Sequence, residues 1–171
     1  FFHVISYAAI FLLSSCGATT SESASDLTAS GWEKFEAADY RAADSLFINA
    51  LDQDSSFADA YTGLGWSALK TDLLPAAVIA FNLAIANGAS NDTYAGKAYA
   101  DKNLNDQANA IADVNVVLPT VSSTYIFSHD VTITEKDLLW IKARAHFLLA
   151  QYTQAQAAVN ILAPSNTLNP L

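Results

Sequence analysis

Tyr40, Ala43, Phe47 and Ala50 recur 34 positions later as Leu74, Ala77, Phe81 and Ala84, and Gly31-Trp32 recurs at the same offset as Gly65-Trp66. No other feature of the chain restricts its fold as strongly. A fixed period of this length marks a repeated supersecondary unit. Within the unit, Ala77 and Phe81 are four apart and share one helix face. Glycine or alanine at such a crossing lets two helix backbones approach, while the aromatic ring fills the space beside them. A single hairpin of this kind cannot bury its own apolar face and must stack on neighbours. The expected fold is therefore all-α, with antiparallel helix hairpins stacked as a short solenoid, and the functional question moves from chemistry to binding.

The second unit carries the fullest pattern, Tyr61, Leu64-Gly65, Ala68, Ala77, Phe81 and Ala84. This order resembles the tetratricopeptide repeat family, whose usual series is a large aromatic, Leu-Gly, Tyr, Ala, Phe or Tyr, Ala and a loop proline. Ala68 stands where the family has Tyr, and Ser55 and Ser90 lie near the place of the proline. A third hairpin is expected over 92–117, with Ala95-Gly96 and Tyr99 on its first helix and Ala108, Ile111 and Ala112 on its second. Matching Gly96 to Gly65 makes that interval 31 residues, so the intervening loop is expected to be three residues shorter. A fourth hairpin is expected over 137–162, from Leu139, Ala143, His146, Tyr152, Ala155, Val159 and Leu162. The resemblance covers roughly 29–163, within a repeat domain assigned to 29–171. The short, Ser-rich run from Leu27 to Trp32 suits a capping repeat.

The N-terminus carries a second signal. Phe1 to Leu13 is almost wholly apolar and leads into Ser14-Ser15-Cys16-Gly17. Such a run is the length of a secretory h-region and too short to span a bilayer as a helix. A small residue before the single cysteine resembles the bacterial lipobox, in which the Cys sulfur takes a diacylglycerol and becomes the new N-terminus. The expectation is a signal segment over 1–15 that begins inside its leader, lipidation at Cys16, and a Ser/Thr-rich tether over 16–28. The competing reading is a buried or membrane-spanning segment with an incidental cysteine. Gly17 after the cysteine, in place of Asp, points to outer-membrane sorting.

Composition narrows the partners. Seventeen acidic residues face eight basic ones, a net charge of −9. With no basic patch to displace counterions, nucleic acid is excluded as a partner, as is attraction to an anionic membrane surface. One cysteine allows no internal disulfide, so the fold rests on packing.

One segment breaks the helical pattern. Pro119 stops the preceding helix. Tyr125-Ile126-Phe127 and Val131-Thr132-Ile133 are aromatic and β-branched runs about a Ser128-His129-Asp130 turn, which fits a short hairpin or an extended loop. Thr134-x-x-Asp137 then resembles a capping box. This insertion, near 118–134, reads either as a recognition loop carrying Tyr125, Phe127, His129 and Asp130 or as a plug over the solenoid's edge. It is expected to pack over the third and fourth hairpins with Phe127 and His129 at the mouth of the groove.

Catalytic constellations are not found. His129-Asp130 lacks the further histidines a metal site needs, and Asp52-x-Asp54-x-Ser56 lacks the glycine and terminal glutamate of a calcium loop. No phosphate loop, G-x-S-x-G or C-x-x-C occurs. The chain is expected to be no enzyme and to hold no cofactor or metal. Binding is expected on the concave groove lined by the first helices, with Trp66, Lys97, Lys142 and His146 as candidates beside the insertion residues. Trp66 has an alternative role, filling the same inter-repeat gap as Trp32, and Trp140 is expected in the core. Resemblance to tetratricopeptide lipoproteins implies a bacterial envelope protein, lipid-anchored at Cys16, that acts as a scaffold for another protein or peptide. The alternative is a small-ligand or glycan binder using exposed aromatics.

Overall fold

The computed structural model describes residues 22–121, 125–127, 129 and 131–162. Among these lie eight α-helices: α1 Ala24–Glu36, α2 Tyr40–Gln53, α3 Ala58–Lys70, α4 Leu74–Ala86, α5 Asn91–Asn103, α6 Gln107–Val117, α7 Glu135–Leu148 and α8 Tyr152–Leu162. Consecutive helices pack as four antiparallel hairpins, each stacked on the next. Residues 1–21, which hold the expected signal segment, Cys16 and the first part of the expected tether, lie outside the described residues.

All four hairpins turn in the same way. Ala38, Asp72, Asn105 and Ala150 each adopt a left-handed conformation, with φ of 58°, 61°, 60° and 56°. The following N–H groups of Asp39, Leu73, Asp106 and Gln151 donate back to the carbonyls of Lys34, Ala68, Asp101 and His146. This is the Schellman closure, which satisfies otherwise orphaned helix-end carbonyls.

Those turns set the true register of the repeat. From the second hairpin to the third the step is 33 residues, seen in the starts of α3 and α5 and of α4 and α6. The 31-residue match of Gly65 to Gly96 is therefore corrected. A Cβ on Gly96 would meet Phe81 of the preceding hairpin, just as one on Gly63 would meet Phe47. Gly96 is the counterpart of Gly63. The buried face of α6 is accordingly Ala110, Val114 and Val117, while Ala108 and Ala112 are exposed. A second correction concerns the first hairpin. Helix α1 begins at Ala24, inside the stretch assigned to the tether, because Ser23 and Asp26 form a reciprocal capping box there. The Ser-rich composition marked a helix start.

Phe47 and Phe81 are fully buried at the centres of the first two hairpins, with Ala43, Ala50, Ala77 and Ala84 around them. Phe47 lies on Gly31 and Gly63, and Phe81 on Gly65 and Gly96. Trp32 meets Phe47 edge-on at 5.2 Å between centroids, and Trp66 meets Phe81 likewise at 5.7 Å. The 34-residue recurrence is thus a recurrence of packing role.

Successive first helices, α1 to α3, α3 to α5 and α5 to α7, touch one another, whereas successive second helices make no comparable contact. The stack therefore curves with the first helices inward. Between α6 and α7 the chain makes a 3-10 turn, Leu118–Thr120, and then a hairpin of β1 Tyr125–Phe127 and β2 Val131–Ile133. Tyr125 pairs with Ile133 and Phe127 with Val131. Thr134 and Asp137 form the expected capping box at the start of α7.

Candidate functional site

The inner face of the first two hairpins is where the chain brings distant residues together. His129, at the turn of the β-hairpin, lies flat on the Trp32 indole of α1, with centroids 4.1 Å apart and planes 4° from parallel. Its Nδ1 is 3.2 Å from Glu36 Oε1. The turn thus reaches the first hairpin, which corrects the expectation that it stays over the third and fourth. The hairpin is held at its base by buried Ile133 and the cap of α7. The strands contain Tyr125 and Phe127, whose side chains lie outside the described residues.

The indole Nε1 of Trp32 donates to Asp59 Oδ2 at 3.2 Å. Asp59 opens α3, and Asp92 holds the equivalent place in α5, 33 residues on. Near a helix N-terminus a carboxylate is stabilised by the helix dipole. Asp59 reaches solvent but stands in a concavity, and that burial raises its pKa. The Trp32 N–H opposes the rise, Asp92 adds to it, and the nearby His129 opposes it. Asp92 accepts from the Ser90 hydroxyl and, at 3.0 Å, from the Thr93 N–H. Between the helices the hydroxyls of Thr62 and Thr93 meet at 2.8 Å. A recess of about 240 Å³ lined by Asp59, Thr62 and the Gly88–Ser90 loop opens beside them. The arrangement offers acceptors and aromatic surface, with no paired nucleophile and base. Among the described residues no group of three or more His, Cys, Asp or Glu is placed to hold a metal ion. No described helix is long and apolar enough to cross a membrane.

The other candidates fall elsewhere. Trp66 is buried against Phe81 and the Gly96 backbone, so it is a packing residue. Lys97 is buried within the third hairpin, 2.7 Å from Asp101 Oδ2 and 2.9 Å from Asp113 Oδ2. Burial works against its charge, but the two carboxylates outweigh that and raise its pKa. Burial pushes Asp113 up to about 6, with Lys97 opposing the rise and Asp101 adding to it. Lys142 and His146 line an outer recess between α6 and α8, facing away from the concave side, and His146 Nδ1 lies 2.6 Å from Gln151 Oε1. Trp140, expected in the core, is half exposed with the Arg144 guanidinium 5.6 Å from its ring centroid. On the last hairpin no following helix covers that face among the described residues. Sequence reasoning missed Trp32, Glu36 and Asp59 as site residues. The available signal was Asp59-x-Tyr61-x-Gly63 recurring as Asp92-x-Tyr94-x-Gly96.

No family model and no curated protein sequence matches this chain. Its fold is similar to that of a solved structure described as the crystal structure of YrrB, a TPR protein with an unusual peptide-binding site. The TM-score is 0.68 at 16% identity, over 82% of this chain and 69% of that one. At that identity the likeness concerns the fold, and the fold of this chain is a tetratricopeptide-like helical repeat.

Proposed function

We propose that this protein is a scaffold that holds a segment of another protein or peptide on its concave face, and that it works from a bacterial envelope membrane to which Cys16 is lipid-anchored. One observation carries the binding reading. The first helices of four stacked hairpins form a continuous inner surface, lined along its first three hairpins by Glu36, Asp59 and Asp92 and roofed at one end by His129 on Trp32. Such a surface suits an extended segment with cationic side chains, since charge complementarity selects partners and orients them. The fold shared with a protein described as having a peptide-binding site supports the same reading. Burial of Trp32 and Trp66 weighs against a glycan platform on the concave face, which needs exposed rings. The anchor reading rests on the apolar run before Cys16 and the Ser/Thr-rich stretch after it, and outer-membrane sorting rests on Gly17.

A photo-crosslinking residue tests the binding face. Placed at Asp59 on the inner face, it should trap a partner in envelope membranes, and placed at Ile48 on the outer face of α2 it should not. Trapping at 48 and none at 59 would overturn the assignment.

A further inference from the structure

On the side opposite the concave face, the second hairpin carries a recess of about 340 Å³ between α2 and α4, floored by α3. Tyr61, Leu64, Ala68, Ala76, Ala80 and Leu83 form its walls, with Asp44 as its one charged group. The same recess recurs in the fourth hairpin at a constant offset of 78 residues, where Leu139, Lys142 and His146 replace Tyr61, Leu64 and Ala68. It is therefore a standing product of the repeat geometry, and its chemistry is set by the side chains each hairpin supplies.

The third hairpin shows what such a recess accepts. By the 33-residue register, Lys97 stands at the place of Leu64, Asp101 at Ala68 and Asp113 at Ala80. There the position is filled from within by the Lys97 ammonium, held by two carboxylates. In the second hairpin Leu64, Ala68 and Ala80 stand at the places of that lysine and its two carboxylates, and an acidic group enters the recess from the neighbouring helix α2 instead, as Asp44. Asp44 Oδ1 and Ser67 Oγ are both buried, and neither has a hydrogen-bond partner among the described residues. Burial raises the pKa of Asp44; the Ser67 hydroxyl lies near enough to temper the rise, but the two do not reach hydrogen-bond geometry. A buried carboxylate oxygen without a partner is costly. Leu73, Ile79 and Leu83 stand exposed around the opening.

We infer that this recess is a second binding site, which takes the side chain of a lysine presented by an apolar segment of a partner protein. The apolar walls accept the aliphatic stem and the Asp44 carboxylate accepts the ammonium. A lone carboxylate among apolar walls suits a compact ammonium better than a guanidinium, most of whose five donors would go unmet. The exposed rim of Leu73, Ile79 and Leu83 is more apolar surface than a free amine would cover, which favours a lysine within a polypeptide. This site is independent of the concave face.

The test uses the full chain and three probes: a capped hexapeptide of leucine and alanine with one central lysine, the same peptide with norleucine in its place, and n-hexylamine. Binding is read by calorimetry and by the methyl resonances of Ile79 and Leu83. The lysine peptide should bind and shift those methyls, with the norleucine peptide at least about tenfold weaker, the worth of one charge-assisted hydrogen bond. Asp44→Asn should weaken the lysine peptide by about the same factor. Ile79→Lys, at an exposed position that leaves the core intact, should repel it comparably. Asp59→Asn should leave this binding unchanged, which separates the site from the concave face. No binding by the lysine peptide, equal binding by norleucine, or indifference to both Asp44→Asn and Ile79→Lys would overturn the assignment. Hexylamine binding as tightly as the peptide would overturn the choice of a protein partner.

Discussion

Gly63→Ala should test the packing at the heart of the stack. A Cβ at this position would lie 2.3 Å from Phe47 Cζ, 2.5 Å from Cε1 and 2.6 Å from Cε2, where carbon atoms prefer about 3.5–4.0 Å. The ring has little room to retreat, because Gly31 also packs closely on it and Trp32 meets it edge-on at 5.2 Å. Overpacking a core of this kind costs about 1–3 kcal/mol. Replacing a helical glycine by alanine returns about 1 kcal/mol through helix propensity. With three ring atoms overlapped, the upper end of the cost applies, and a net loss of about 2 kcal/mol is expected. For a domain of this size that lowers the melting temperature by about 4–8 °C, measured by circular dichroism at 222 nm. In a Phe47→Leu background the same substitution should cost much less, because the obstructing ring is gone. Gly88→Ala is the control. Its φ is +86° with nothing within 4 Å, so its cost of about 1–2 kcal/mol comes from backbone strain and Phe47→Leu should not relieve it. A Gly63→Ala protein that melts at or above the parent temperature would show that propensity governs this position and that the glycine-seated ring is not what holds α2 to α3.

Three further outcomes follow from other contacts. His129→Ala should expose the Trp32 face, red-shifting tryptophan emission and increasing acrylamide quenching with a stability loss of no more than about 1 kcal/mol; unchanged quenching would refute the stack. Lys97→Met should cost about 3–5 kcal/mol in urea unfolding at pH 8, since it strands two buried carboxylates. Because burial already holds Asp113 above its unfolded value, at about 6, folding favours its protonated form. That contribution is present below the unfolded pKa and lost as pH rises through 6, so the Lys97→Met deficit should be smaller at pH 5 than at pH 8; an equal deficit at both would refute the ion cluster. Cys16→Ser should abolish acyl mass on the mature N-terminus and release the protein from membranes, and unaltered processing and sorting would refute the lipobox.

The parts of the fold that could be read from the chain are those encoded within one repeat. The recurrence of Gly31-Trp32 with Phe47 as Gly65-Trp66 with Phe81 placed two hairpins and the common role of the two tryptophans. The hairpin turn at His129 and the Thr134 cap were equally local, since each depends on residues within a few positions. Relations between repeats were harder. Gly96 could match either Gly65 or Gly63, because both glycines seat a phenylalanine, one from its own hairpin and one from the hairpin before. Choosing Gly65 shifted the third unit by two residues, which turned Ala108 and Ala112 inward in place of Ala110 and Val114. The same limit applies to Lys142 and His146. A helix in this stack has an inner face, an outer face and two packing faces, and a spacing of four does not say which one is meant. Trp140 reads as core from its neighbours Leu138, Leu139 and Ile141; its counterpart Thr62 is indeed covered by the next helix, but no such helix follows Trp140 among the described residues.

The contact that organises the candidate site has no local signal at all. His129 and Trp32 are almost a hundred residues apart, and in a solenoid each unit ordinarily touches only its neighbours. The insertion departs from that rule. It leaves the stack between the third and fourth hairpins and places its turn on the first, so the two ends of the repeat are joined across the inner face by His129, Trp32 and Glu36. The left-handed conformation of His129, φ 77°, presents the imidazole at the turn. The indole beneath it is held at its N–H edge by Asp59. One tryptophan thereby connects three elements: its own hairpin through Phe47, the next through Asp59, and the insertion through His129. The residues that tie the hairpin down, His129, Trp32 and Glu36, are also the ones that line the acidic, aromatic end of the concave surface.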